Sequence, residues 1–219
     1  TFSTQSQEIG VQLYSFRNQI PNDIPGTLQK IRNMGIIELE GGDSYGLPQL
    51  EFKSIIDKMG FKMISIGADF EKLQKDLPAV IAEAKAYGAK YVVCFWIPHN
   101  GDEFTLENAK NGIDVFNAAG KILSENGLSL CYHPHGYEFR PYEKGTLFDF
   151  IMSSVKAEWV NFEMDVLLHK EQHQILQQLE EEHGYKGMDK GTKVRHLLAG
   201  IKMNKLDSMS PLGYSLVGE

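Results

Sequence analysis

Short apolar runs alternate with longer amphipathic stretches along most of the chain. The runs have the length of strands buried on both faces, and the stretches between them have the length of helices that cover such strands. Repeated units of this kind predict an α/β fold with a parallel sheet. The six predicted strands are Ile9–Ser15, Ile36–Glu40, Lys62–Ala68, Lys90–Phe95, Leu128–His133 and Val160–Val166. The predicted helices lie near Ile24–Met34, Leu50–Met59, Glu71–Tyr87, Leu106–Asn126, Thr146–Ser154 and Glu171–His183.

Glycines mark the ends of four predicted helices. Gly35, Gly60, Gly88 and Gly127 each follow a helical stretch and precede a predicted strand. Helices often end at a residue in the left-handed conformation, which glycine adopts without steric cost. These positions therefore support the predicted helix boundaries.

Six such units could form an open doubly wound sheet or most of a barrel. The doubly wound fold usually carries a glycine-rich phosphate loop after its first strand, whereas this chain has Leu13–Arg17 there. We therefore predict a parallel (β/α) barrel of the TIM type, as a single domain over residues 1–219, with regular units over about residues 9–183. A full barrel has eight strands and about 250 residues. Because residues 184–219 lack a strand pattern, the barrel is predicted to be incomplete or irregular after the sixth strand, with an atypical C-terminal tail.

The composition excludes several classes of function. A formal net charge of -7 argues against nucleic-acid binding, which depends on clustered Lys and Arg. No run approaches the roughly 18 apolar residues that span a bilayer, so no membrane role is expected. Cys94 and Cys131 lack metal-type spacing and are predicted to be buried, reduced thiols. The polar start Thr1–Gln7 would suit a mature end left by signal-peptide removal, so cytoplasm and periplasm both stay open.

Polar residues follow the predicted strands, where a parallel barrel gathers its site. These residues are Glu40, Asp69, Trp96, His99, His133, His135, Glu138, Asp165 and His169. The densest cluster is Cys131–Phe139, in which His133 and His135 project to the same side of an extended chain and Glu138 follows. Carboxylates and imidazoles converging from neighbouring strands suit a divalent ion, Mg or Mn for oxygen-rich sets and Zn for nitrogen-rich ones.

Structural explanations compete with these functional ones. Glu40 and Glu163 could equally be paired carboxylates buried in the barrel. For Glu163 this structural explanation is favoured, because it alternates with Asp165 and would lie one layer deeper. Asp69 could simply be an N-cap for the helix that follows it. For His99 and His169, structural or surface positions are as common as a role in a site.

Four segments carry a resemblance to a known family. They are Gly10–Ser15, Gly88–Val93, His133–Phe139 and Phe162–Val166. In this order they resemble the matching strand ends of the sugar phosphate isomerase/epimerase group of the xylose-isomerase-like TIM-barrel superfamily. The resemblance extends from about Ile9 to Val166, about three quarters of the chain.

The resemblance implies a metal-dependent site. Glu138 and Asp165 would bind a divalent metal (Mn, Mg or Zn), and Glu138 would also be the catalytic base. The family adds a His from the seventh strand and a Glu from the eighth, and neither can be assigned in this sequence. The predicted substrate-binding residues, which would bind hydroxyls or cover the sugar ring, are His133, His135, His99, Trp96, Tyr14, Glu40 and His169.

Three functions are compatible with this pattern. The leading one is a metal-dependent sugar or sugar phosphate isomerase or epimerase that transfers a proton next to a carbonyl. The second is a keto-glycoside lyase or hydrolase with the same metal site. The third is a catalytically incomplete barrel that binds a partner through its open strand edges. The predicted partner is a small carbohydrate, without nucleic acid or membrane, and a homo-oligomer is left open. The apurinic-endonuclease branch is disfavoured, because the chain is acidic and has Glu40 and Ile66–Ala68 where that branch has histidines.

Overall fold

The computed structural model describes residues 10–41 and 43–163. Within them lie eight strands: β1 (Gly10–Gln12), β2 (Glu38–Gly41), β3 (Lys62–Gly67), β4 (Tyr91–Cys94), β5 (Ser129–Tyr132), β6 (Pro141–Tyr142), β7 (Gly145–Thr146) and β8 (Val160–Phe162). The helices are α1 (Ile24–Asn33), α2 (Gln49–Lys58), α3 (Phe70–Lys75), α4 (Leu77–Tyr87), α5 (Leu106–Glu125) and α6 (Leu147–Ser154). Four predictions lie outside the described residues: the helix Glu171–His183, Asp165, His169 and the tail at 184–219.

Six strands form one parallel sheet in the order β1-β2-β3-β4-β5-β8. Each strand therefore lies beside the sheet strand that precedes it in the sequence, and the order never reverses. A doubly wound sheet reverses its order at a switch point, whereas a (β/α) barrel adds strands in one direction. The predicted α/β architecture with a parallel sheet is confirmed.

Helices and strands meet through a continuous apolar core. Phe116 of α5 packs on Phe70 of α3 and on Tyr132 of β5, with ring centroids 5.9 and 4.9 Å apart. Gly120 lets α5 approach the start of β8, because a Cβ there would lie 2.8 Å from the carbonyl oxygen of Trp159. The core thus fixes the strands whose ends carry the polar groups.

The predicted boundary glycines and buried thiols are confirmed. Gly35, Gly60, Gly88 and Gly127 all have φ between 72° and 83°. Cys94 and Cys131 are buried and free. Burial raises the pKa of Cys94 to about 12, so this thiol keeps its proton. Within the described residues, no helix is long and apolar enough to cross a membrane.

The first strand is shorter than predicted. It ends at Gln12, and Leu13–Phe16 form a 3-10 helix, so the predicted strand Ile9–Ser15 is wrong at its C-terminal end. Local contacts stabilise the turn in place of sheet pairing. The guanidinium of Arg17 donates to the carbonyl of Tyr14 at 3.1 Å and lies 4.6 Å from the centroid of its ring. The turn leaves the Tyr14 side chain 59% exposed.

The single helix predicted at Glu71–Tyr87 is wrong, because the chain divides at Asp76 into α3 and α4. Pro78 lies in the first turn of α4. A proline ring clashes with the carbonyl four residues earlier in a continuous helix, so the helix must restart before it. The hairpin of β6 and β7 was not predicted, since strands of two residues are too short for an alternating pattern.

Candidate functional site

Five polar side chains converge at the C-terminal end of the parallel sheet. Gln12 ends β1, Glu40 lies in β2 and Ser65 lies in β3, while His133 and Glu163 follow β5 and β8. Because the strands are parallel, their C-terminal ends share one edge. We call these five residues the polar centre.

Glu40 lies at the middle of the polar centre and is only 1% exposed. Its carboxyl oxygens accept hydrogen bonds from Gln12 Nε2 at 2.5 Å and Ser65 Oγ at 2.8 Å. Burial, followed by the charge of Glu163 and a hydrogen bond with it, raises the pKa of Glu40 from 4.5 to about 8, although the bonds from Ser65 and Gln12 lower it. Glu40 is therefore mostly protonated at neutral pH. The competing explanation of Glu40 and Glu163 as paired buried carboxylates stays a prediction, because the two groups interact but the Glu163 side chain is 15% exposed.

His133 connects the polar centre to the loop after β5. Its backbone N–H donates to the carbonyl of Cys94 at 3.0 Å, and its Nδ1 lies 3.1 Å from Glu163 Oε1. The His133 side chain is 6% exposed and that of Glu163 is 15% exposed. Glu163 is thus the more accessible of the two, with His133 and Glu40 both in contact with it.

Glu138 is fully buried beside the polar centre. The hydroxyl of Tyr132 donates to Oε1, and the backbone N–H groups of His135 and Gly136 donate to Oε2 at 3.1 and 2.9 Å. Burial, and then the charge on Glu138, raise the pKa of Tyr132 well above its usual value, so that hydroxyl keeps the proton that it donates. Glu138 therefore fixes the turn that carries His135.

Aromatic rings form a wall along the loops after β4 and β5. Trp96 stacks on His99, with centroids 4.0 Å apart and an interplanar angle of 25°. Tyr137 meets the edge of Trp96 at 5.2 Å and stacks with His135 at 5.7 Å, while Phe104 packs against Tyr137 at 5.4 Å. We call these five residues the aromatic wall. The two loops are also joined by a hydrogen bond from Arg140 to the carbonyl of Asp102.

Two members of the aromatic wall, Trp96 and His99, are not fully occupied by contacts within the described residues. Trp96 is 45% exposed although its ring is held by several neighbours. His99 Nδ1 contacts the carbonyl of Ile97 at 2.6 Å, which fixes the proton on Nδ1. The buried Nε2 of His99 has no hydrogen-bond partner in the part of the chain that the structure describes. His99 is thus packed into the wall and held there by the contact of its Nδ1 with the carbonyl of Ile97.

The described residues do not complete a metal site by themselves. Over residues 10–41 and 43–163, no three His, Cys, Asp or Glu side chains are placed to hold one ion. Glu138 could supply one ligand, although both its oxygens already accept hydrogen bonds. Asp165, the second predicted ligand, lies outside the described residues.

The structure brings most of the predicted site residues together. His133 contacts His135, with ring centroids 4.9 Å apart, and His135 contacts Trp96 at 6.5 Å. Tyr14 is exposed on the turn after β1, and His169 lies outside the described residues. Asp69 is the N-cap residue of α3, but its side chain makes no capping hydrogen bond. The sequence analysis did not identify Gln12 and Ser65 as partners of Glu40. The feature that could have indicated them is a polar residue inside an otherwise apolar strand.

The sequential parallel sheet, with polar groups at its C-terminal edge, is the architecture of TIM-barrel proteins. The solved structures similar to this chain include sugar phosphate isomerase/epimerase and xylose isomerase-like TIM-barrel proteins. The fold implied by the sequence resemblance is therefore confirmed. No protein-family model and no curated protein matches the chain.

Three solved structures illustrate the similarity. A sugar phosphate isomerase/epimerase from Parabacteroides distasonis is 24% identical, with a TM-score of 0.65, over 81% of this chain and 76% of its own. A xylose isomerase-like TIM barrel protein from Mycobacterium smegmatis, in complex with magnesium, is 16% identical, with a TM-score of 0.53, over 76% and 67%. An AP endonuclease of family 2 from Brucella melitensis is 10% identical, with a TM-score of 0.56, over 73% and 69%. At such identities, the similarity establishes the fold alone.

Proposed function

We propose that the chain is a sugar or sugar phosphate isomerase or epimerase that transfers a proton next to a carbonyl. The observation that carries the proposal is the contact of one carboxyl group, Glu163, with both Glu40 and His133 at the C-terminal edge of the sheet. Enzymes that move protons at neutral pH need one group that holds a proton and another that can accept one. The neutral Glu40 and its partner Glu163 meet that need.

Glu163 is the group best placed to meet a substrate. It is more exposed than His133, and Glu40 lies almost wholly beneath the surface. We assign Glu163 the removal of the proton from the carbon beside the carbonyl. Glu40 and His133 are positioning residues, because each contacts the Glu163 carboxylate and limits its rotation. His135 lies close enough to His133 to bind a neighbouring sugar hydroxyl.

A divalent ion would add stabilisation of the negative charge that develops on the carbonyl oxygen. The assignment of Glu138 and Asp165 as its ligands rests on the resemblance and stays a prediction. The resemblance also gives the role of base to Glu138, which is the alternative to Glu163. Calorimetric titration with Mn, Mg and Zn tests the metal assignment. Micromolar binding that is lost in Glu138→Ala and kept in Glu158→Ala would support it, because Glu158 is exposed and precedes β8, at the opposite end of that strand from Glu163. Equal binding by all three proteins would contradict it.

Product analysis tests the reaction itself. The protein is incubated with a panel of aldoses, ketoses and their phosphates, and the products are separated and weighed by mass spectrometry. An isomerase or epimerase forms a new sugar of unchanged mass from at least one member. If every sugar is recovered unchanged, with and without added Mn, Mg or Zn, the proposal is wrong.

A second candidate is a keto-glycoside lyase or hydrolase. Removal of a proton beside a keto group can expel the substituent on the next carbon, so the same groups would suffice. The exposed Trp96 beside His135 favours it, because a glycoside has a second group for that ring to cover. A solved structure of the same fold, from Bacillus anthracis, is described as a probable dehydratase, which is also an elimination enzyme. Release of an aglycone from a 3-keto-glycoside would identify this reaction.

A further inference from the structure

Trp96 is held in place by other rings and yet keeps a large exposed area. One face of its indole is stacked on His99 at 4.0 Å, and Tyr137 and His135 approach it edge-on. Its 45% exposure must therefore come from the opposite face and the remaining edge. A flat apolar surface that is already immobilised can bind a ligand ring with little further loss of conformational entropy.

Hydrogen bonds hold in place the two loops that pack against Trp96. Asn108 in the capping box of α5 donates to the carbonyl of Pro98 at 3.0 Å, which ties the loop after β4 to the helix. Arg140 ties the loop after β5 to the carbonyl of Asp102. Both loops that shape the aromatic wall are therefore anchored, and the indole face is presented in one position.

The sheet order separates the indole from the proposed base, because Trp96 follows β4, Glu163 follows β8, and β5 lies between these two strands. Glu163 contacts His133, His133 packs against His135 with centroids 4.9 Å apart, and His135 meets Trp96 at 6.5 Å. Two imidazole rings thus separate the proposed base from the indole. A single sugar ring bound at Glu163 would not also cover Trp96, whereas a second ring joined to it would.

We propose that Trp96 forms a second-ring subsite, so that the preferred ligand is a reducing disaccharide or a keto-glycoside whose second ring stacks on the indole face, and simple glycosides bind there as unreactive analogues. The inference rests on the proposed function, because it assumes that the first sugar ring lies at the polar centre. Sugar rings stack through their C–H faces and aryl rings through their π faces, so a disaccharide and an aryl glycoside share the required flat surface.

The chain offers a direct optical test, because Trp96 and Trp159 are its two tryptophans. Trp159 contacts Lys121 on the outside of α5, and the variant Trp159→Phe keeps an aromatic ring there. In that variant, Trp96 is the sole tryptophan. We expect its emission to shift when phenyl β-D-glucoside, phenyl β-D-xyloside, cellobiose or xylobiose binds, and to change less with the methyl glycosides.

Calorimetry with the same ligands measures the preference. Phenyl glycosides or disaccharides should bind about three- to tenfold more tightly than the methyl glycosides of the same sugar, which is the effect of one aromatic stacking contact. The ratio should fall to about one in Trp96→Leu, which keeps apolar bulk without a flat face. Near-UV circular dichroism and the melting temperature verify that the variant is folded, and Trp96→Phe should recover part of the ratio.

The outcomes separate the subsite from the function. A preference for disaccharides alone identifies the second ring as a sugar, and a preference for phenyl glycosides alone identifies it as an aryl group. Methyl and phenyl glycosides that bind equally, or a ratio that survives in Trp96→Leu, would overturn the subsite and leave the proposed function standing. If free monosaccharides or their phosphates bind and no glycoside or disaccharide does, the subsite alone is wrong, and if none of these compounds binds, both proposals are wrong.

Discussion

At the scale of single residues, two buried glutamates in this site have different surroundings. Glu40 receives two side-chain hydrogen bonds and faces a second carboxyl group, whereas Glu138 receives one hydroxyl and two backbone N–H groups. The first arrangement favours a neutral acid, while the second supplies donors to a carboxylate. The two residues should therefore respond differently to substitution.

Glu40 should make the stability of the protein depend on pH. Its pKa is 4.5 without perturbation and about 8 in the fold, so between these values the native state holds a proton that the unfolded state has lost. The free energy of unfolding should then fall as pH rises from about 4.5 to 8, by at most about 1.4 kcal/mol per pH unit. Urea unfolding at pH 5, 6, 7 and 8 measures this slope.

The Glu40→Gln variant should flatten that slope, while Glu158→Gln should keep it, because Glu158 is exposed. The comparison uses the difference between variants, so that other titrating groups cancel. Parallel profiles for the native protein and Glu40→Gln would show that Glu40 titrates normally, and the neutral-acid assignment would then be wrong.

Glu138 should be needed for stability as well as for the site. Glu138→Ala leaves the Tyr132 hydroxyl and two backbone N–H groups without their acceptor, and each buried unpaired group costs about 1–3 kcal/mol. Glu138→Gln keeps one acceptor oxygen and should lose less. Urea unfolding at pH 7 measures both, and a Glu138→Ala protein as stable as the native one would contradict the bonding described.

At the scale of elements, α5 positions one loop and one strand of the site. Its capping box at Thr105 fixes the loop that carries Trp96 and His99, and its close approach at Gly120 positions the start of β8. Glu163 follows β8 directly, so helix packing determines where the proposed base lies. Small changes on the inner face of α5 should therefore reach the site.

Gly120→Ala should destabilise the protein by about 1–3 kcal/mol, because the new methyl group would lie 2.8 Å from the backbone oxygen of Trp159. Gly112→Ala is the matched control on the same helix. There the methyl group would meet the flexible tip of Ile97 at 2.6 Å, and the gain in helix propensity, about 1 kcal/mol, offsets the contact. Thermal unfolding compares the two, and equal effects would contradict close packing at Gly120.

The parallel sheet and its site could be predicted from sequence in part. Apolar runs and boundary glycines predicted the six strands of the sheet. Strands buried on both faces are composed of apolar residues, and positive φ at a helix end is adopted most readily by glycine. The turn at Leu13–Phe16 and the break at Asp76 depend on local contacts and a proline, which an apolar pattern does not register. The hydrogen bonds of Gln12 and Ser65 to Glu40 depend on the register between neighbouring strands, and the pattern of residues in one strand does not determine that register.

At the scale of the whole molecule, the fold determines where the strand ends lie, and the residues at those ends determine the reaction. The sheet order and the solved structures establish a TIM-barrel architecture, on which many reactions occur. Proton transfer is therefore assigned to Glu40, Glu163 and His133, and binding of a second ring is assigned to Trp96. Because the residues differ, substitutions can test the two proposals separately.

Hydrogen exchange into the substrate is the most direct test of proton transfer. The protein is incubated in D2O with sugars and keto-glycosides, in the presence and absence of Mn, Mg and Zn, and NMR follows the C–H beside the carbonyl. We predict exchange that is about 100-fold or more slower in Glu163→Gln, the usual size of a general-base effect, and unchanged in Glu158→Gln. Exchange that proceeds equally in Glu163→Gln, or that never exceeds the rate in buffer, would contradict the proposed chemistry.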